Sequence, residues 1–175
     1  MTRKRGFEII QEYKDKGINL PQRATKHAAG YDFEAACDVE IPSVWSVGIK
    51  AGWSAIKELA LANQTEKSLK PILVPTGIKA YMGENEYLKI ANRSSNPLKR
   101  FLLLSNGIGV VDSDYYNNPD NEGHIMLQFL NFGFAPVMIK KGERIGQGIF
   151  HTFLKIDQDV EGGKRMSGFG STGER

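Results

Sequence analysis

Eight short extended runs, separated by turn residues, limit what this chain can fold into more than any other feature. They are Asp38–Pro42, Ile72–Met82, Glu86–Ala91, Phe101–Leu104, Ile108–Val111, His124–Phe132, Pro136–Lys140 and Arg144–Leu154, and glycine, proline, asparagine or aspartate stands in most of the gaps. Runs of this length joined by such turn chemistry predict an antiparallel sandwich, jelly roll or barrel. The stretch Ile125-Met126-Leu127-Gln128-Phe129-Leu130 alternates but is rather apolar on both faces, which suits a strand covered on both sides, for instance at a subunit contact. One segment departs from the pattern. Ser54–Asn63 carries good helix formers, an N-cap at Ser54, and Ile56, Leu59 and Ala60 at helical spacing. With Trp45 and Trp53 ahead of it, residues 44–70 read as an insertion carrying a short helix between two strands. Phe7–Tyr13 fits a strand or a helix equally well.

The 175 residues suit one domain with a full-sized core. Twenty-three Lys and Arg against 20 Asp and Glu leave a net charge of +3, too little to argue for a nucleic-acid surface. The basic run Thr2-Arg3-Lys4-Arg5 reads as a solvated terminus. A single cysteine, Cys37, excludes an internal disulfide and any multi-cysteine metal site. Its neighbours Ala35, Ala36 and Val39 make a buried core thiol the expectation. No stretch approaches the roughly 18 apolar residues of a membrane span, and the N-terminus lacks the apolar region of a signal peptide. A soluble cytoplasmic protein without membrane or nucleic-acid partners is expected.

Three polar stretches carry candidate chemistry. In Asn106-Gly107-Ile108-Gly109-Val110-Val111-Asp112-Ser113-Asp114-Tyr115, the Asn-Gly pair flanked by apolar residues predicts a hairpin. Its backbone would offer donors and acceptors to a planar base, with Asp112 at the strand end; the bland alternative is that Asp112 and Asp114 cap turns or pair with arginines. Asn92-Arg93-Ser94-Ser95-Asn96-Pro97 reads as a polar turn with one cation, two hydroxyls and several backbone N–H groups, a set suited to phosphate oxygens. Ser167-Gly168-Phe169-Gly170-Ser171-Thr172-Gly173 contains the spacing G-x-G-x-x-G, but only Glu174 and Arg175 follow. A dinucleotide loop needs a helix and most of a βαβ unit after it. The stretch reads instead as an arm closing over a phosphorylated, ring-bearing ligand. His27, His124 and His151 show no metal-ligand spacing, and the latter two read as plain strand residues.

Five ordered motifs, spread from about Leu20 to Gly173, resemble those of the homotrimeric dUTP diphosphatases. Ala29-Gly30-Tyr31-Asp32-Phe33 resembles the first motif and Arg93-Ser94-Ser95 the second. Gly109-Val110-Val111-Asp112-Ser113-Asp114-Tyr115 resembles the third, Gly142-Glu143-Arg144-Ile145-Gly146-Gln147 the fourth, and Gly168-Phe169-Gly170-Ser171-Thr172-Gly173 the fifth. Any one of these is weak; five in order are highly specific.

The resemblance implies a mainly β, jelly-roll-like subunit over residues 1–163, a C-terminal arm over 164–175, and a homotrimer with shared active sites. It implies that Asp112 activates the water that attacks the α-phosphorus of dUTP, with Mg²⁺ chelated by the triphosphate and Asp32 reaching it through water. Arg93, Ser94, Ser95 and Gln147 would hold phosphate oxygens. Asn106, Gly109 and Val111 would bond uracil through their backbone, and Tyr115 would pack beneath the deoxyribose. Phe169 would stack on uracil, Gly170, Ser171 and Thr172 would close the arm on the triphosphate, and Lys164 or Arg165 would reach the γ-phosphate. Lys164 occupies the place where the family usually has arginine, the loop Tyr116–Gly123 replaces the family's R-G-E, and Pro97 and Gly148 are unusual for their motifs. The 44–70 insertion is reminiscent of enlarged phage-encoded members, in which case the host cytoplasm is the location, and it offers a surface for a protein partner. Two rivals stand beside this reading. The related dCTP deaminases use a glutamate on the strand after the third motif, where this chain has His124-Ile125-Met126-Leu127-Gln128-Phe129. A non-catalytic binding module would have no use for Asp112, Tyr115 and Phe169 together.

Overall fold

The computed structural model describes residues 3–46 and 70–160. Among them are eleven strands: β1 (Gly6–Ile9), β2 (Gln22–Arg23), β3 (Tyr31–Glu34), β4 (Val39–Ile41), β5 (Ile72–Tyr81), β6 (Glu86–Asn92), β7 (Leu102–Leu104), β8 (Ile108–Asp112), β9 (Ile125–Asn131), β10 (Val137–Ile139) and β11 (Arg144–Thr152). One sheet has the order β1-β5-β9-β7, the second the order β2-β3-β11-β6-β8, and β10 pairs with β4. Every strand pair is antiparallel, giving the mainly β, jelly-roll-like architecture that the turn-punctuated runs predict.

The core lies between the two large sheets, where each strand sends alternate side chains inward. Val74, Ile78, Leu127 and Phe129 from the first sheet meet Phe33, Leu88, Ile90 and Ile145 from the second, all of them buried. Phe7 on β1 closes one end of this layer. Its ring stands 5.4 Å from Tyr31, 5.3 Å from Phe33 and 5.3 Å from Phe150, at separations where edge and offset contacts add to area burial. Gly146 on β11 lets the two sheets approach closely, and Gly148 makes room within its own sheet for a side chain of neighbouring β3. A Cβ at Gly146 would stand 2.3 Å from Leu127 Cδ2, and one at Gly148 would stand 2.6 Å from Phe33 Cε2. Gly148, unusual for its motif, is therefore matched to the ring of Phe33.

All eight extended runs are strands. Two N-terminal strands, β2 and β3, are absent from the eight runs; β2 is only two residues long, polar and exposed. Phe7–Tyr13 is divided between both alternatives, a strand to Ile9 and then a 3-10 turn over Gln11–Tyr13. On β9 the residues Ile125, Leu127, Phe129 and Asn131 are buried and the intervening ones half-buried, so its second face is partly covered.

Three expectations are corrected. The Asn106-Gly107 turn does not join a hairpin, because β7 pairs with β9 in one sheet and β8 pairs with β6 in the other. The turn itself is present: Gly107 has φ +69, its N–H donates to Leu104 O at 2.9 Å, and Ile108 N donates to Asn106 O at 2.7 Å. A turn signal specifies local reversal but not which neighbour each arm finds. Cys37 is exposed rather than buried. Ala35 and Ala36 point into the core, and Ala36 N is bonded to Pro75 O at 2.8 Å, which leaves Cys37 on the outside of the turn before β4. The polar turn after β6 contains a short helix, Ser95–Arg100, that accommodates Pro97 in its first turn, where a missing N–H costs nothing. The helix expected over Ser54–Asn63 lies outside the described residues. At the edge of the insertion, Trp45 donates its indole N–H to Phe132 O at 3.0 Å and stacks on Phe134 at 6.3 Å.

Candidate active site

A recess of about 270 Å³ opens between the two sheets where β8 and β9 diverge, lined by Asn106, Gly109–Asp112, Tyr115 and residues 124–128. Its floor is apolar, from Ile90, Leu104 and Leu127. Asp112 ends β8 with extended backbone (φ −76, ψ 159) and opens a 3-10 turn over Ser113–Tyr115 without a side-chain capping bond. That turn swings Tyr115 back into the recess, where it is 8% exposed. Its hydroxyl donates to His124 O at 3.0 Å and accepts from Asn121 Nδ2 at 2.8 Å. His124 sits just before β9 rather than on it. Its Nε2 accepts the N–H of Gly77 at 2.9 Å, and burial pushes its pKa below the ordinary value, so it stays neutral. This is a structural histidine, not a catalytic one. The arrangement is an apolar-floored recess with Asn106, Tyr115 and the Asp112 carboxylate in its lining.

A second group gathers where β3, β11 and the end of β6 meet. Gln147 is in register with Asp32 on one side and Ala91 on the other. Asp32 lies 3.1 Å from Arg144 and 3.6 Å from Arg93, and Arg93 also donates to Arg144 O at 3.2 Å. Gly30 leaves room for the Gln147 side chain, since a Cβ there would stand 2.4 Å from Oε1. The turn bearing Arg93, Ser94 and Ser95 is fixed from behind by buried Asn96, whose Nδ2 donates to Asn92 Oδ1 and to Ile145 O, both at 2.8 Å. Asn96 and Arg144 were not among the expected site residues, although Asn96 lies in the polar turn and Arg144 within the fourth motif. Among the described residues no three His, Cys, Asp or Glu converge on a point, and Asp32 is already shared by two guanidinium groups. Such a carboxylate suits a hydrated cation held by a ligand's phosphates better than direct coordination.

The two groups do not meet within one chain. Through the register Gln147↔Ala91↔Ile108, Asp32 and Asp112 share the outer face of the five-stranded sheet. They are three strands apart and four residues offset, about 20 Å at usual strand spacings. Lys164, Arg165, Phe169, Gly170, Ser171 and Thr172 lie outside the described residues.

The fold and these two groups define a class: a jelly-roll-like β protein with a recess beside a carboxylate and a separate cationic turn. Comparison with known proteins makes the assignment specific. The dUTPase family pattern matches residues 54–173. The chain is 47% identical over 171 residues to a deoxyuridine 5'-triphosphate nucleotidohydrolase of Lactococcus lactis, covering 97% of each, and 33% identical over 174 residues to one of Desulfitobacterium hafniense, covering 95% of each. It superposes on the crystal structure of dUTPase from Streptococcus mutans with a TM-score of 0.69 at 43% identity, over 87% of this chain and 98% of that one. A dUTPase mutant from phage phi11 of S. aureus, reported with a structural Mg(II) ion, shares the fold with a TM-score of 0.62 at 13% identity, over 91% of this chain and 97% of that one. The chain belongs to the dUTPase family.

Proposed function

We propose that this chain hydrolyses dUTP to dUMP and pyrophosphate in sites shared between the copies of a homotrimer. Asp112 accepts a proton from a water aimed at the α-phosphorus; the α–β phosphoanhydride bond breaks and pyrophosphate leaves. A positioned general base contributes about 10²–10⁴-fold, so most of the acceleration is electrostatic. Arg93, Ser94, Ser95 and Gln147 hold phosphate oxygens while Asp32 orients water around the cation. Mg²⁺, when bound by the triphosphate, neutralises charge that develops on the departing pyrophosphate. Uracil lies in the recess against the backbone of Asn106, Gly109 and Val111, which leaves no room for thymine's methyl group, and Tyr115 packs beneath the deoxyribose. The arm 164–175 of another copy completes the site, with Phe169 over the base, Gly170, Ser171 and Thr172 along the triphosphate, and Lys164 or Arg165 at its end. The reaction, in the cytoplasm, supplies dUMP for dTMP synthesis and, by removing dUTP, limits uracil in DNA. The 44–70 insertion serves as a surface for a protein partner.

The observation that carries this reading is the separation of Asp112 from the Asp32–Arg93–Gln147 group. A general base must come within hydrogen-bond reach of the proton it takes, and about 20 Å of sheet forbids that within one chain. A second copy has to bring the missing half, as a cyclic assembly does. No helix among the described residues is long and apolar enough to cross a membrane.

The test has two parts. With Mg²⁺ and dUTP, dCTP, dTTP or UTP, rapid pyrophosphate release is expected from dUTP alone; ammonia release from dCTP would favour the deaminase reading instead. Co-expressed Arg93→Ala and Asp112→Asn subunits, each inactive alone, should recover about a quarter of wild-type turnover. Three in four random trimers are mixed, and each has one intact site in three. Recovery of nothing would place both residues in one chain's site.

A further inference from the structure

The loop Tyr116–Gly123 is tied to the recess by a continuous polar network. We propose that Asn121 is a positioning residue for sugar selection, holding the Tyr115 ring in the one attitude that accepts deoxyribose and excludes ribose. This rests on the reading that Tyr115 packs beneath the sugar.

The Tyr115 ring is fixed at both ends. At its hydroxyl, Asn121 Nδ2 donates at 2.8 Å while the hydroxyl itself donates to His124 O at 3.0 Å. At its backbone, Tyr115 O accepts from Asn118 Nδ2 at 2.9 Å. Asn121 is itself held. Its Oδ1 accepts from Asn118 Nδ2 at 2.9 Å and from Gly123 N at 3.0 Å, which leaves the amide one orientation. Asn118, buried, accepts at Oδ1 from Asp120 N and Asn121 N, both at 3.1 Å.

The loop is anchored beyond the recess by a buried cation. Lys79 on β5 donates to Asn117 Oδ1 at 2.6 Å and to Glu122 Oε1 at 3.0 Å, and Glu122 Oε2 accepts from Gln11 N at 2.8 Å. Asn117 and Glu122 both have positive φ (+56 and +58), a conformation uncommon outside glycine that persists only where surrounding bonds over-determine it. A loop merely bridging β8 to β9 has no need of that strain. A loop that must place one donor against one phenolic oxygen does.

A phenol held by two hydrogen bonds cannot tilt to admit a 2′-hydroxyl, whereas one released on one side can. The experiment measures kcat/KM for dUTP and for UTP in wild type, Asn121→Ala, Tyr115→Phe and the double variant, with thermal unfolding in parallel. Asn121→Ala should lower the dUTP-to-UTP ratio about tenfold, the scale of one lost hydrogen bond. In the Tyr115→Phe background the same substitution should change the ratio no further, since the hydroxyl it acts through is gone. An equal fall for both substrates, or an unchanged ratio, would overturn the proposal, as would full additivity in the double variant. Asn121→Asp, isosteric but without the donor, gives the same readout should the alanine variant fold poorly. A wild type that releases pyrophosphate from dUTP and UTP alike would instead refute the sugar-contact reading itself.

Discussion

Gly123 and Gly107 both have positive φ, +83 and +69, but they face different surroundings, and replacing each with alanine separates two physical costs. At Gly107 an added Cβ meets nothing within 4 Å, so only the left-handed backbone is penalised, by about 1–2 kcal/mol. At Gly123 the same Cβ would stand 2.5 Å from Tyr115 O and 3.1 Å from Tyr116 Cα. Those are backbone atoms and cannot rotate away. Overpacking that forces backbone shifts adds about 1–3 kcal/mol, so Gly123→Ala should lose about 2–5 kcal/mol in all. The gain from a stiffer unfolded chain, about 0.4–1 kcal/mol, is common to both sites and cancels in the comparison. At about 2–4 °C per kcal/mol for a chain of this size, Gly123→Ala should melt several degrees below Gly107→Ala. Urea titrations at one fixed protein concentration measure the difference, with unchanged m-values confirming that the unfolded state is not the cause. Equal losses at the two positions would refute the reasoning, because the steric contribution would then be absent.

Two further outcomes are expected. His124 has a depressed pKa, through burial first, with Glu12 and Glu122 pulling the other way. The unfolded chain therefore binds a proton that the folded chain refuses, and stability is complete above about pH 6.5 and falls below it with a slope of up to about 1.4 kcal/mol per pH unit. Urea midpoints between pH 8 and pH 5 should show this fall in wild type and a shallower one in His124→Gln; parallel curves would count against it. Deleting Gly168–Arg175 should lower turnover on dUTP sharply while the assembly, followed by sedimentation, survives; unchanged turnover would remove the arm from the site.

The strands of the core were legible because their signals are local. Residues 72–82, 124–132 and 144–154 combine apolar alternation with flanking turns, and each forms a long strand. Pairing is not local, which is why Asn106-Gly107 reads as a hairpin although β7 and β8 belong to different sheets. Cys37 was misplaced for a related reason. Small apolar neighbours show that the chain is near the core, but not which residue of a turn faces out. Within the candidate site, Asp112 and Arg93 stood out in polar stretches while Tyr115, Asp32 and Gln147 took their roles from motif order, and the fold divides the five into two groups that spacing along a sequence has no means of expressing. Asn96, Asn121 and Lys79 carry no motif; their roles exist only once distant strands bring their partners to them.

The glycine at 146 has a consequence for the recess as well as for packing. Because the recess opens between the two sheets, its width is a readout of how closely those sheets lie, and Leu127, whose methyl presses on Gly146, is also part of the recess floor. Interlayer spacing at Gly146 thus sets the width of the recess. A side chain at position 146 would push β9 and β11 apart and widen the recess without changing any residue that lines it.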